Sequence, residues 1–289
     1  ADAATRTAAW DAVEAAFRAA DAAGERVLDV PAADVVDLTG EWRRMVVHWM
    51  GLLSAFPPEE ISTLDLSRYA DTGENWPVLD GYGALVTAAG QAVPVRTGVT
   101  VSRIDWSGRG VRAETSAGTI EAKSAIVTVS TNVLAEGGIR FTPELPADVG
   151  EALAACPVGF AEKVAISFDG PLAGLDPSAY VDTIDPTDPT RPAINFTIEE
   201  DAAGHPLAVG QLGGLLARDL ERAGEAAMID FALAALVDAF GSGIRSQVHR
   251  TATTRWTSDP LIRGAYSCAR PGEADRRRRL AHPVRERLF

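Results

Sequence analysis

Trp10, Val13, Phe17 and Ala20 recur at spacings of three and four, which predicts an amphipathic helix over residues 8–23 with Gly24 as its stop. A second helix is predicted for Glu41–Phe56. Trp42, Met45, Val46, Trp49, Met50 and Leu53 share its apolar stripe, and Pro57-Pro58 ends it because proline cannot continue the backbone ladder. Such stripes usually line a core, and they can also wall an apolar cavity. In Trp76–Gly83, Gly81 and Gly83 flank Tyr82 and predict a tight turn into a helix that begins near Ala84.

The period then drops from helical to two. Val99, Val101 and Ile104, a turn at Ser107–Gly110, then Val111, Ala113 and Thr115, a turn at Gly118, and Ile120 and Ala122 predict a β-meander. Ala125–Thr131 is a nearly unbroken β-branched run, the signature of a strand buried on both faces of a parallel sheet. Alternation returns at Lys163–Phe168, Ala193–Thr197 and Leu207–Leu212, with Asp182–Pro192 read as a surface loop. Residues 217–240 read as one long helix and Val248–Trp256 as strand-like. Asp275–Arg287 reads as helix or turn, with Arg276–Arg279 a solvated face. The fold class is α/β (α+β): a mixed β-sheet with flanking helices.

Composition narrows the function classes. The 289 residues carry a net charge of −13, a balance that repels phosphate backbones and anionic membrane surfaces. No apolar run approaches the ~20 residues of a membrane span. Cys156 and Cys268 form neither a disulfide framework nor a CxxC motif, so two reduced thiols in the cytoplasm are expected. His48, His205, His249 and His282 are far apart in sequence, and no metal site is predicted. No GxSxG elbow or P-loop is present. Only Lys123 and Lys163 are lysines among 27 basic residues, so each stands out against a background that prefers arginine.

Six blocks, in order, resemble the FAD-dependent amine oxidase family of monoamine and polyamine oxidases. They are Asp80–Val86, Val101–Ile104, Gly110–Leu134, Ile139–Pro146, Gly159–Phe168 (GFAEKVAISF), and Arg255-Trp256 through Gly264–Ser267 to Ala269–Gly272. The resemblance implies oxidation of an amine C–N bond by hydride transfer to flavin, with oxygen reduced to hydrogen peroxide. It implies that Val101 binds the FAD adenine through its backbone and that Trp256 lies beside the isoalloxazine. Tyr266 would be one wall of an aromatic cage for a neutral amine substrate. Lys163 would hold a water near flavin N5, a buried cation favouring negative charge that develops on oxygen. A strand valine, core packing of the two aromatics, and a surface lysine paired with Glu162 are the ordinary alternatives. Ala265 stands where some members carry a cysteine linked to flavin, so FAD would be non-covalent.

The departures shape the expected organisation. The chain has no strand–GxGxxG–helix unit for a pyrophosphate, and it stops at Leu288-Phe289, the threshold of the family's C-terminal flavin segment. It opens without an initiator Met. The expected layout is a helical part of a substrate domain at 1–75 and the middle of an FAD domain at 76–135. A substrate domain follows at 136–255, and 256–289 return towards the FAD domain. An excised fragment, or a subunit whose sheet a second chain or self-association completes, is expected; FAD would then not be retained by this chain alone. The alternative is an inactive binding or partner module without flavin.

Overall fold

The computed structural model describes residues 3–74, 76, 78, 80–172, 179–184, 191–201 and 203–289. The chain divides into two compact units. The larger comprises Ala1–Arg68, Thr128–Glu136 and Ala147–Ala281, and the smaller Tyr69–Val127, Gly137–Pro146 and His282–Phe289.

In the larger unit α1 (Ala3–Glu25) and α2 (Arg43–Ser54) come first. The buried face of α1 is Ala9, Val13, Ala16, Ala20 and Ala23, while Trp10 is exposed. Gly24 does not stop the helix. It lies inside α1, where a Cβ would collide with Ser67 and the Thr63 carbonyl of α3 (Thr63–Ser67). The glycine permits close helix–helix approach. In α2 Leu53 turns outward and His48 inward, and the helix ends at Ala55 in the left-handed conformation, two residues before Pro57. Met45, Val46 and Met50 are buried among the α1 alanines.

In the smaller unit Gly81, at φ 84°, turns the chain into α4 (Tyr82–Ala89), as the glycines predict. The meander is β1 (Val101–Asp105), β2 (Val111–Thr115) and β3 (Gly118–Ala122), and β4 (Arg140–Thr142) pairs parallel to β1. The sheet order is β3-β2-β1-β4, a mixed sheet. Ala125–Thr131 is not a buried strand. Ala125 makes one parallel bridge to Leu288, Val127 N–H donates to the Phe289 carbonyl, and Ile126 is 76% exposed. Its parallel direction was legible; its two-sided burial was not, because among the described residues it is residues 287–289 that run beside its start.

Back in the larger unit, α5 (Thr131–Ala135) and α6 (Ala147–Ala155) lead to the main sheet. Its strands are β5 (Ala161–Phe168), β6 (Tyr180–Thr183), β7 (Ile194–Glu200), β8 (Pro206–Gly213) and β9 (Val248–Thr253). They are antiparallel throughout, in the order β6-β7-β8-β5-β9. Asp182 and Thr183, read as loop, belong to edge strand β6, and residues 185–190 of that loop lie outside the described residues, as do Pro77 and Leu79 of the earlier turn. The single long helix is two, α7 (Gly214–Ala223) and α8 (Glu225–Phe240), broken at Gly224 with φ 103°. One sheet face carries Val164, Ile166, Phe168, Phe196, Ile198, Ala208 and Leu212 into a core closed by α7 and α8. Among the described residues no helix is long and apolar enough to cross a membrane.

Candidate functional site

The opposite face of the main sheet is polar. Lys163 on β5 stands opposite Gln211 on β8, Gln211 opposite Asn195 on β7, and Asn195 opposite Asp182 on β6. Residues directly opposite in antiparallel pairs project to the same face, so these four form one row across four strands. Lys163 Nζ donates to Gln211 Oε1 at 3.3 Å. Lys163 is exposed rather than buried in this chain. The protein around its stem still lowers its pKa, with Glu199 acting the other way.

The far end of the row is buried. Asn195 is fully buried, and among the described residues neither its amide atoms nor His48 Nε2 and Trp49 Nε1 of α2 meet a partner in good hydrogen-bond geometry. Burial pushes the His48 pKa down to about 4, against the opposing influence of Asn195. Burial pushes Asp182 up to about 6, with Trp49 opposing. Asp182 also lines a cavity of about 650 Å³ with Trp10, Trp42, Tyr180, Arg6 and Asp238. Buried polar atoms cost stability unless paired, so this cluster marks a place built to be wet or to hold a polar ligand.

Asp182 gives a pH-dependent expectation. Its folded pKa lies above the ordinary 3.8, so its contribution is fully present below about pH 4 and is lost as pH rises through 6. Asp182→Asn should therefore stabilise the fold at pH 7.5 by about 1–2 kcal/mol, after discounting for partial exposure, and by little at pH 4. Urea unfolding at both pH values checks this. An equal effect at both would mean that Asp182 carries no desolvation cost.

The strand that carries Lys163 also reaches the segment that carries Trp256. Glu162, one residue before Lys163, is 1% exposed and faces away from it. Its carboxylate accepts from Thr254 Oγ1 at 2.6 Å, Trp256 N at 2.9 Å and Thr257 N at 3.4 Å. Burial raises its pKa, the Thr254 hydroxyl opposes that rise, and Glu221 adds to it. Glu221, also buried, accepts from Ser258 N at 2.8 Å. Two buried carboxylates thus hold the turn that carries Trp256. The Glu162–Lys163 ion pair does not form.

Tyr266 is held from the same segment. Gly159 N donates to the Tyr266 carbonyl at 3.0 Å, and Ala265 N donates to the Gly159 carbonyl at 2.8 Å. Arg277 donates to both Asp65 oxygens, at 2.6 and 2.7 Å, and to Ser267 Oγ at 2.8 Å, which pins the next residue. The arginine run is therefore not a free solvated face; Arg276 pairs with Glu151 and Glu273, and Arg279 with Asp148. Trp256 is 41% and Tyr266 42% exposed, so neither serves as core in this chain.

Residues 159–162 thus bond to the main chain at Trp256 and Tyr266, while Lys163 projects from the other face of β5. Val101 belongs to the smaller unit, where it opens β1 opposite Thr115 and is half-buried. Sequence reading missed Glu162, which it treated only as a partner for Lys163, and missed Asp182, Asn195 and His48. A buried acid in an alternating strand was the available signal for Glu162. The histidines were read as unpartnered, yet the fold stacks His205 on His249.

The candidate site is thus an exposed lysine on β5 and two exposed aromatics whose main chain is bonded to residues 159 and 162. Residues 8–289 match the family model "Flavin containing amine oxidoreductase", and the chain belongs to that family. It is 29% identical over 221 residues to polyamine oxidase 4 of Oryza sativa subsp. japonica, covering 75% of this chain and 44% of that protein. It is 24% identical to lysine-specific histone demethylase 2 of Homo sapiens, over 69% of this chain and 25% of that one. The chain spans about half, or less, of the length of these curated relatives. The fold is shared with cyclohexylamine oxidase from Brevibacterium oxydans IH-35A (TM-score 0.71, 20% identity, 96% of this chain and 68% of that one). It is shared also with a redesigned putrescine oxidase (TM-score 0.75, 14% identity, 98% and 69%).

Proposed function

We propose that this chain forms the amine-facing part of an FAD-dependent oxidase acting on a small-molecule amine. The observation that carries the reading is the anchoring of Trp256 and Tyr266, through Glu162 and Gly159, beside the strand that bears Lys163. The relatives and fold neighbours include a polyamine oxidase, a lysine-specific histone demethylase, a cyclohexylamine oxidase and a putrescine oxidase, which supports an amine as substrate. The two free, buried thiols suit a reducing compartment such as the cytoplasm.

The residues fit the ring end of FAD. Trp256 offers an exposed aromatic face, and Lys163 an ammonium that donates to the neutral amide of Gln211. The pyrophosphate end has no counterpart in a GxGxxG unit of this sequence. Bound FAD supplies the two-electron acceptor for the C–N bond, with oxygen the final acceptor and hydrogen peroxide the product. Trp256 limits where a ring can lie, and Glu162 fixes Trp256. Tyr266 offers its face to the amine. Lys163 holds a water at Nζ and stabilises negative charge that develops on oxygen.

The second reading is a partner module without flavin turnover. FAD titration followed by flavin fluorescence, then anaerobic addition of an amine panel, separates the two. The oxidase reading expects weak FAD binding by the chain alone, further weakened in Trp256→Ala, with amine-dependent bleaching of the bound flavin. Saturating flavin that no amine bleaches would overturn it in favour of the module.

A further inference from the structure

We propose that Asp169, His205 and His249 form a binding site for a divalent transition-metal cation of the zinc class. The three come from separate strand ends at one end of the main sheet. Asp169 follows β5, His205 precedes β8, and His249 is the second residue of β9. One ligand atom from each lies within 4.8 Å of the others. Two imidazoles and a carboxylate are the donors that zinc and its neighbours accept.

The detail goes beyond three polar residues meeting at a surface. The two imidazole rings stack with centroids 4.3 Å apart and planes 16° from parallel. His249 Nδ1 and Asp169 Oδ1 are hydrogen-bonded at 2.8 Å, which already brings two donor atoms together; a shared tetrahedral ion would open them to roughly 3.4 Å. His205 Nδ1 lies 3.2 Å from Asp201 Oδ1, which leaves Nε2 of that ring for a metal. Asp201 is itself fixed by the backbone N–H groups of Ala203 and His205, both at 2.9 Å. That is the carboxylate–imidazole–metal arrangement in which an outer acid orients a ligating ring. Asp169 is held beside β9 by its own N–H, which donates to the Gln247 carbonyl at 2.8 Å. The ligands are thus placed by backbone, and their present spread exceeds a closed zinc site by about 1 Å per side chain. Binding closes that gap by splaying the stacked rings. The acidic chain favours any cation that approaches.

The site stands apart from the amine-facing residues. Asp169 and Lys163 are six residues apart along one extended strand, roughly 20 Å. A bound ion would clip the ends of β5, β8 and β9 together, so its readout is binding and stability rather than turnover.

Zinc chloride titrated into the metal-free chain by calorimetry at pH 7.5 tests this. The expected result is one saturable site of micromolar affinity. The unfolding midpoint should rise by a few degrees at a hundredfold excess over the dissociation constant. His205→Ala and His249→Ala should each weaken binding at least ~tenfold and Asp201→Asn roughly tenfold, with His282→Ala unchanged. Each variant should keep the metal-free unfolding midpoint. No saturable uptake below millimolar zinc, or undiminished affinity in the His205→Ala/His249→Ala double variant, would overturn the proposal.

Discussion

Glu162→Ala is expected to destabilise the larger unit by about 3–5 kcal/mol, among the largest effects of any single substitution in the chain. The carboxylate is buried and accepts from the Thr254 hydroxyl and from the Trp256 and Thr257 amides. Alanine leaves those donors in a space that water does not readily reach, and it opens a cavity beside the apolar face of β5. The Thr254 hydroxyl matters twice, because it also accepts from Lys163 N at 2.7 Å. Loss of Glu162 therefore loosens both the strand that carries Lys163 and the turn that carries Trp256. Urea unfolding gives the magnitude. Amide hydrogen exchange should show protection lost first at Trp256 and Thr257. Glu162→Gln, which keeps an acceptor of the same shape, should cost less than half as much. A loss under ~1 kcal/mol for the alanine variant would show that water replaces the carboxylate and that the turn is held by other contacts.

Gly159→Val is expected to cost more than ~3 kcal/mol, for a steric reason. A Cβ at residue 159 would lie 2.6 Å from the Phe56 ring and closer still to the Ala55 carbonyl oxygen. The backbone is pinned there on both sides. Gly159 exchanges hydrogen bonds with the Ala265–Tyr266 segment, and Phe160 N donates to the Ala55 carbonyl at 2.8 Å. No rotamer change relieves a clash with main chain. The variant should unfold at lower urea, and in whatever remains folded the Tyr266 segment should detach from the end of α2. Gly150→Val, where a Cβ meets nothing, is the control for valine in place of glycine, although it adds a helix-propensity change below ~1 kcal/mol. Equal losses in the two variants would mean that close approach at Gly159 is not what the fold requires.

Both residues lie in the sequence block that resembles amine oxidases, yet no local feature singles either out as strongly as Lys163, a rare lysine in an alternating strand. The alternation correctly places Val164, Ile166 and Phe168 on one face. It also puts Glu162 on that face, where an acid contradicts the pattern. That contradiction is the signal a local reading can give, but the partners that satisfy it lie over ninety residues away. The arginine run misleads for the same reason. Four consecutive arginines look solvated until the fold brings Asp65, Asp148 and Glu151 to them.

The sequence by itself determined the elements whose signal is local. These are the amphipathic period of α1 and α2, the turns that set the β1–β3 meander, the alternation of β5, β7 and β8, and the ordered motifs that carry the family resemblance. Side-chain period and turn chemistry act over a few residues, so they can be read without a fold. The tertiary structure decided everything that depends on which strand lies beside which. It paired only the start of Ala125–Thr131 with residues 287–289 and put Thr131 in α5, split the long helix at Gly224, and stacked His205 on His249. It also set Lys163, Gln211, Asn195 and Asp182 in one row. That row depends on three strand registers, and a one-residue slip in any of them would send its side chains to the opposite face. Register is fixed by the packing of the whole sheet, with Phe196 and Ile198 on the core face and the polar row on the other, and no short stretch of sequence contains that information.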